Sequence, residues 1–143
     1  MGATLPGPPE VVWRLITDWE HQGDWMLEAT DFVITSDHRE GTGVEGQATV
    51  RIAGIATRDK VSVVGWEPDK RLVIRHDGWV SGEGEMLLTA LDSERTHLFW
   101  REELYPPLGL LGALGLTMFR PLMRRVFERD LRVLAGLVRV AAS

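Results

Sequence analysis

The sequence predicts an α+β fold: a curved antiparallel sheet of six to seven strands wrapped around a long C-terminal helix, with one or two short helices near the N-terminus. Three observations lead there. Between residues 29 and 105, apolar and polar residues alternate with period two in segments divided by Gly, Pro and Asp turns. These segments recur at roughly 10–15 residues, too closely for the crossover helix that parallel strands require. Residues 106–143 then carry a glycine- and leucine-rich apolar run followed by an arginine-studded amphipathic stretch, long enough to cover the sheet's apolar face.

Each element has its own signal. Ala3-Thr4-Leu5 reads as a short edge strand, cut off by Pro6 and Gly7. Pro8-Pro9-Glu10 ahead of Val11, Val12, Leu15 and Ile16 is a helix start, because proline suits the first turn and an early Glu meets the positive end of the dipole. The Trp-rich stretch from Asp18 to Trp25 is a turn or second short helix. Residues 31–35, 44–53, 56–66, 71–76, 80–91 and 96–105 are strands. Val44, Gly46, Ala48, Val50 and Ile52 share one face of the third, and Leu72, Ile74 and His76 one face of the fifth. Glu67-Pro68-Asp69-Lys70 is a turn with proline preset for it. On the final helix Phe127, Leu131, Leu134 and Val138 form an inner stripe, and Arg124, Arg125, Glu128, Arg129 and Arg132 an outer one, with Glu128 and Arg132 spaced to pair. Pro121 costs about 3 kcal/mol inside a regular helix, so a break or kink is expected there.

Composition limits the function classes. The 143 residues form one domain, residues 1–143. With no cysteine, disulfide and thiolate chemistry are excluded. The formal net charge of −5 argues against a nucleic-acid partner, since phosphate binding needs a basic face. The charge is uneven: residues 1–105 hold 10 Lys/Arg against 19 Asp/Glu, and residues 106–143 hold 6 Arg against 2 acids. A basic helix docked across an acidic sheet accounts for that pattern, and contact with an anionic membrane is the alternative. The N-terminus has neither the basic start nor the apolar core of a signal peptide, and the longest apolar run falls short of the roughly 20 residues that span a bilayer. A cytoplasmic protein, monomer or homodimer, is expected.

Several segments carry a family resemblance. They are Pro8-Pro9-Glu10-Val11-Val12-Trp13 with Asp18, Trp25-Met26, Gly41-x-Gly43-Val44, and Trp66-Glu67-Pro68-Asp69-Lys70-Arg71-Leu72. Arg95-Thr96-His97-Leu98 and Phe127-Glu128-Arg129-Asp130-Leu131 complete the set. In this order the chain resembles, over nearly its whole length, the START-like polyketide cyclase/dehydrase (SRPBCC) family of helix-grip proteins. The resemblance implies an internal cavity for a small hydrophobic ligand, such as a lipid, an isoprenoid or an aromatic polyketide-like molecule. Family members include polyketide cyclases as well as lipid and hormone carriers, so fold alone does not decide chemistry.

The motifs that would mark other functions fail on context. Gly41-Thr-Gly43-Val-Glu-Gly46 matches the dinucleotide fingerprint by letter, but a polar turn precedes it and a strand follows, so the glycines serve a hairpin. His21, His38, His76 and His97 show no metal-ligand spacing, and there is no nucleophile elbow around any serine. No metal and no cofactor are expected.

What remains is an apolar face with a few polar residues on it. Thr96, Leu98, Trp100, Glu102 and Leu104 share parity, which places Glu102 among apolar neighbours, and His76 sits beside Ile74 on its own strand. An enclosed carboxylate and imidazole are candidate proton-transfer groups, because desolvation disfavours their charged forms. The candidate ligand-binding set is Trp25, Val50, Arg51, Ile74, His76, Trp79, Met86, Trp100, Glu102 and Met118, with Arg51, His76 or Glu102 orienting a polar group. Small residues at Gly46, Ala48, Gly82 and Gly84 are expected to leave the interior hollow. The leading function is binding or carriage of a hydrophobic ligand. The alternatives are a cyclase or dehydratase acting on a poly-β-ketone through His76 and Glu102, and a membrane- or protein-interaction module. In that last reading residues 108–119 and the arginine face of the helix touch the partner. The glycines at every third position of 108–119 loosen a helix, which also suits that segment to gating the cavity.

Overall fold

The chain runs β1 (Gly2–Leu5), α1 (Pro9–Ile16), a short 3-10 helix (Trp19–Asp24), β2 (Ala29–Ile34), β3 (Glu45–Ile52), β4 (Ile55–Glu67), β5 (Arg71–Asp77), β6 (Ser81–Ala90), β7 (Thr96–Tyr105) and α2 (Gly109–Ala142). This computed structural model describes the backbone of residues 1–52, 54–78, 81–105 and 109–143, and the side chains of these except 52, 104, 105 and 109–120. All strands pair antiparallel in the order β1-β7-β6-β5-β4-β3-β2. From β2 to β7 each strand folds back on the one before it. β1 lies at the far edge against β7, with Ala3 opposite Leu98 and Leu5 opposite Thr96. The helices between β1 and β2 carry the chain from one sheet edge to the other.

Local chemistry explains the boundaries. Pro8 caps α1, Pro9 and Glu10 occupy its first turn, and Val11, Val12, Trp13 and Ile16 are buried. In the β4–β5 turn, Lys70 N–H donates to the Glu67 carbonyl at 3.0 Å. Asp69 takes a φ of 63° after the preset proline. Gly41 and Gly43 have φ of 91° and 96° in the turn before β3, which is the hairpin role the sequence assigns them. Register shifts between Thr30 and Val33 and between Val63 and Gly65 mark bulges in β2 and β4, which bend a sheet.

One sheet face is buried. Ala48, Val63, Leu72, Met86, Leu88, Leu98 and Trp100 lie on it, and α2 covers it with Leu131, Leu134 and Val138. Each such residue removed from water stabilises the fold by about 1.5–3 kcal/mol. The close approach is visible at Gly7, where a Cβ would stand 2.6 Å from Val138 Cγ1. The buried Thr96 hydroxyl donates to the Gly7 carbonyl at 2.7 Å and locks the turn beneath the helix.

Three expectations need correction. α2 runs through Pro121 without a break, since proline deletes only one of the many N–H bonds along a helix of 34 residues. Glu128 pairs with Arg124 at 3.2 Å and not with Arg132. Arg129, placed on the outer stripe by periodicity, reaches Glu28 at 3.4 Å and Asp130 at 3.3 Å.

Gly46, one of the small inner-face residues, also behaves differently from expectation. A Cβ at Gly46 would stand 2.8 Å from Phe32 Cε1 and 2.9 Å from the Val33 carbonyl oxygen, so the glycine admits the neighbouring strand and leaves no hollow. Gly46→Ala is expected to destabilise the protein by about 1–3 kcal/mol, because a backbone atom cannot yield as a side chain can. Urea denaturation should show this as a lower midpoint with an unchanged slope.

Candidate functional site

Register places three rows of inner-face residues in succession across β4 to β7. Leu72, Met86 and Trp100 form an apolar row. Val63, Ile74, Gly84 and Glu102 form the next, and Val61, His76 and Gly82 the third. The face therefore passes from apolar to polar toward the end of β5. Asp59, opposite Ala48 and two residues before Val61, adds a carboxylate at that end.

The two residues singled out as proton-transfer candidates meet here. His76 Nε2 lies 3.4 Å from Glu102 Oε2, with side chains 27% and 14% exposed. Trp100 Nε1–H donates to Glu102 Oε1 at 2.9 Å and so fixes the carboxylate against the apolar row. Gly84 makes that position available, since a Cβ there would stand 2.5 Å from Glu102 Oε1. Gly78 does the same for Asp59, whose carboxyl carbon would overlap an added Cβ. Glu102 Oε2 and Asp59 Oδ1 are buried and accept no hydrogen bond from the described residues. Burial works against a charge on His76, but Glu102, then Asp59 and Asp77, outweigh it and hold the imidazole above its usual value.

The other candidates divide. Trp25 and Trp100 are 1% and 2% exposed, their ring centroids are 5.9 Å apart, and Phe127 of α2 packs on Trp100 at 4.6 Å. Met86 is also buried, and these side chains pack together next to the polar rows. Ile74 is half-buried on the middle row, and Val50 is half-buried on the same face farther along β3. Arg51 does not join them: it is exposed, with the parity opposite to the buried Ala48. Trp79 and the Met118 side chain lie outside the described residues. His76 also lines an open cleft of about 350 Å³ at the sheet rim, with Arg75, Asp77, Ser81, Gly82, Glu83 and Glu103. Among the described residues, no three His, Asp or Glu converge as a metal-ligand set, and no helix is long and apolar enough to cross a membrane.

Comparison with known proteins fits this architecture. A family model described as polyketide cyclase/dehydrase and lipid transport matches residues 2–139. The chain belongs to this family. Solved structures agree on the fold of this cyclase/dehydrase and lipid-transport family member. The protein TTHA0849 from Thermus thermophilus superposes with a TM-score of 0.75 at 23% identity, over 100% of this chain and 97% of that one. The Zhui aromatase/cyclase from a Streptomyces species gives 0.75 at 20% identity, over 97% and 91%. A START superfamily protein from Mycobacterium smegmatis gives 0.76 at 15% identity, over 97% and 94%. No curated protein sequence matches the chain.

One further polar cluster of this family member is not apparent from sequence periodicity. Asp130 on α2 is fully buried, and its Oδ1 accepts from the Leu27 N–H and from Arg129, each at 3.3 Å. Glu28 lies beside it, its side chain 9% exposed. Burial, then the adjacent Asp130, push the Glu28 carboxyl up to about 8 against the pull of Arg129.

Both titrations have measurable consequences. The folded protein keeps a proton on Glu28 that the unfolded chain releases near 4.5. Its stabilisation is therefore full below that value and is lost as pH rises toward about 8. Thermal midpoints are expected to fall across this window, and Glu28→Gln, which keeps an N–H for Asp130, should flatten the fall. For His76 the sign is the same: its stabilisation is complete below 6.5 and disappears as pH passes its raised value. An NMR titration should place the His76 midpoint above 6.5. Glu102→Gln should lower that midpoint.

Proposed function

We propose that the protein binds a small hydrophobic molecule at the β5–β7 end of the inner face. The apolar body rests against Ile74 and the Trp100–Met86 row, and the polar end sits beside Glu102 and His76. The observation that carries this reading is the His76–Glu102 pair, held by the Trp100 indole at the margin of an apolar face and still partly open to solvent. A purely structural ion pair would gain little from being set into such a face. Family membership supports the reading, since its description joins cyclisation chemistry with lipid transport, and both require an apolar guest. About 200 Å² of buried ligand surface contributes about 5 kcal/mol, before the entropic costs of association are met.

A cyclase or dehydratase activity is the second reading, favoured by the same 3.4 Å imidazole–carboxylate separation. A poly-β-ketone is reactive in itself, so a shaped surface with one acid and one base accelerates its condensation by positioning and proton transfer. The likeness in fold to the Zhui aromatase/cyclase and to the two-domain ARO/CYC StfQ, of which this chain spans 44%, lends that reading weight.

Titration of a panel of lipids, isoprenoids and aromatic polyphenols is expected to quench or shift tryptophan emission, because Trp100 touches the site. An unchanged spectrum with every member would remove the binding reading. Glu102→Gln and His76→Ala separate the two readings. Carriage leaves no product to lose, whereas catalysis predicts lost turnover with affinity retained.

A further inference from the structure

The polar end of the site has an uneven inventory. Asp59, Asp77 and Glu102 all act electrostatically on one imidazole, His76, with Glu102 at 3.4 Å and Asp77 exposed at the opposite parity on β5. The neighbouring acids Glu83 and Glu103 have arginine partners, Arg75 at 3.2 Å and Arg101 at 3.8 Å. Among the described residues, no Lys or Arg comes within ion-pair distance of the first three; His76 beside Glu102 is the one cationic contact they have. The donors on this face are already committed. Trp100 Nε1–H is used on Glu102 Oε1, and His76 Nε2 faces Glu102 Oε2. Asp59 Oδ1 is buried without a donor, and Glu102 Oε2, also buried, has only His76 Nε2 at 3.4 Å, which makes no hydrogen bond to it.

Such a place welcomes a hydrogen and repels an anion. A ligand hydroxyl donates to a carboxylate oxygen left short of hydrogen bonds in a charge-assisted bond. A ligand carboxylate brings only acceptors and a like charge into a poorly solvated corner. Resting on the binding proposed above, we propose that the head group held beside Glu102 is an uncharged hydrogen-bond donor, a phenol or alcohol hydroxyl. Molecules with the same apolar body and a carboxylate head, fatty acids among them, are refused.

Two probes of near-equal apolar surface test this by calorimetry at neutral pH, where 2-naphthol is uncharged and 2-naphthoate is an anion. The naphthol is expected to bind at least about tenfold more tightly, the scale of one charge-assisted contact. Glu102→Gln, checked for folding by its thermal midpoint, should narrow the gap by admitting the anion. Equal or tighter binding of 2-naphthoate to the unaltered protein would overturn the proposal and leave hydrophobic binding itself standing. A gap unchanged by Glu102→Gln would overturn the assignment to Glu102. Binding of neither probe would overturn both this proposal and the reading it rests on.

Discussion

The structure depends on one contact, the burial of the Leu131–Leu134–Val138 stripe of α2 against the inner face of the sheet. A seven-stranded antiparallel sheet with one apolar side cannot remain in water uncovered, and no other described element is long enough to cover it. The contact is pinned at three places along the helix. Val138 lies on Gly7, Asp130 receives the Leu27 amide, and Phe127 packs on Trp100. Those pins set the height of the helix above the strands. They also divide the face into a packed region around Trp25 and Trp100 and a polar margin around His76 and Glu102.

Much of this was legible in the sequence, for a physical reason. Strand faces alternate strictly, so the parity of Leu98, Trp100 and Glu102 alone put the carboxylate on the buried side, and that of Ile74 put His76 there too. The turns were legible because Pro68 and the Gly41/Gly43 pair constrain their own backbone. Arg51 qualifies by chemistry but fails by parity, and the structure leaves it in solvent. Asp130 could not be found this way. In the run from Arg124 to Arg132 it is one charge among many, and its burial depends on the Leu27 amide, 103 residues away. The inner-face glycines misled for the same kind of reason. Absence of a side chain reads as empty space, yet Phe32 fills the place at Gly46 and Glu102 the place at Gly84, and both arrive from adjacent strands.

The comparisons separate scaffold from chemistry. Backbones at 15–23% identity superpose with TM-scores of 0.75–0.76, so the sheet and its covering helix tolerate extensive replacement of side chains. The acid-rich margin is a property of this chain's own residues and has to be argued from them. Its arrangement is economical in parts. One indole, one imidazole and one glycine are enough to seat the Glu102 carboxylate at the edge of a hydrocarbon surface, and Gly78 leaves room for Asp59 beside it.

Trp100 occupies a singular position in that arrangement. One side of its ring bears the weight of Phe127 from the helix, while its N–H tethers the Glu102 carboxylate. A rigid bicyclic ring cannot tilt at one end and stay still at the other. A lift or rotation of α2 at Phe127 is therefore relayed through it as a displacement of the acid, so that the posture of the helix and the position of the carboxylate are mechanically geared to one another.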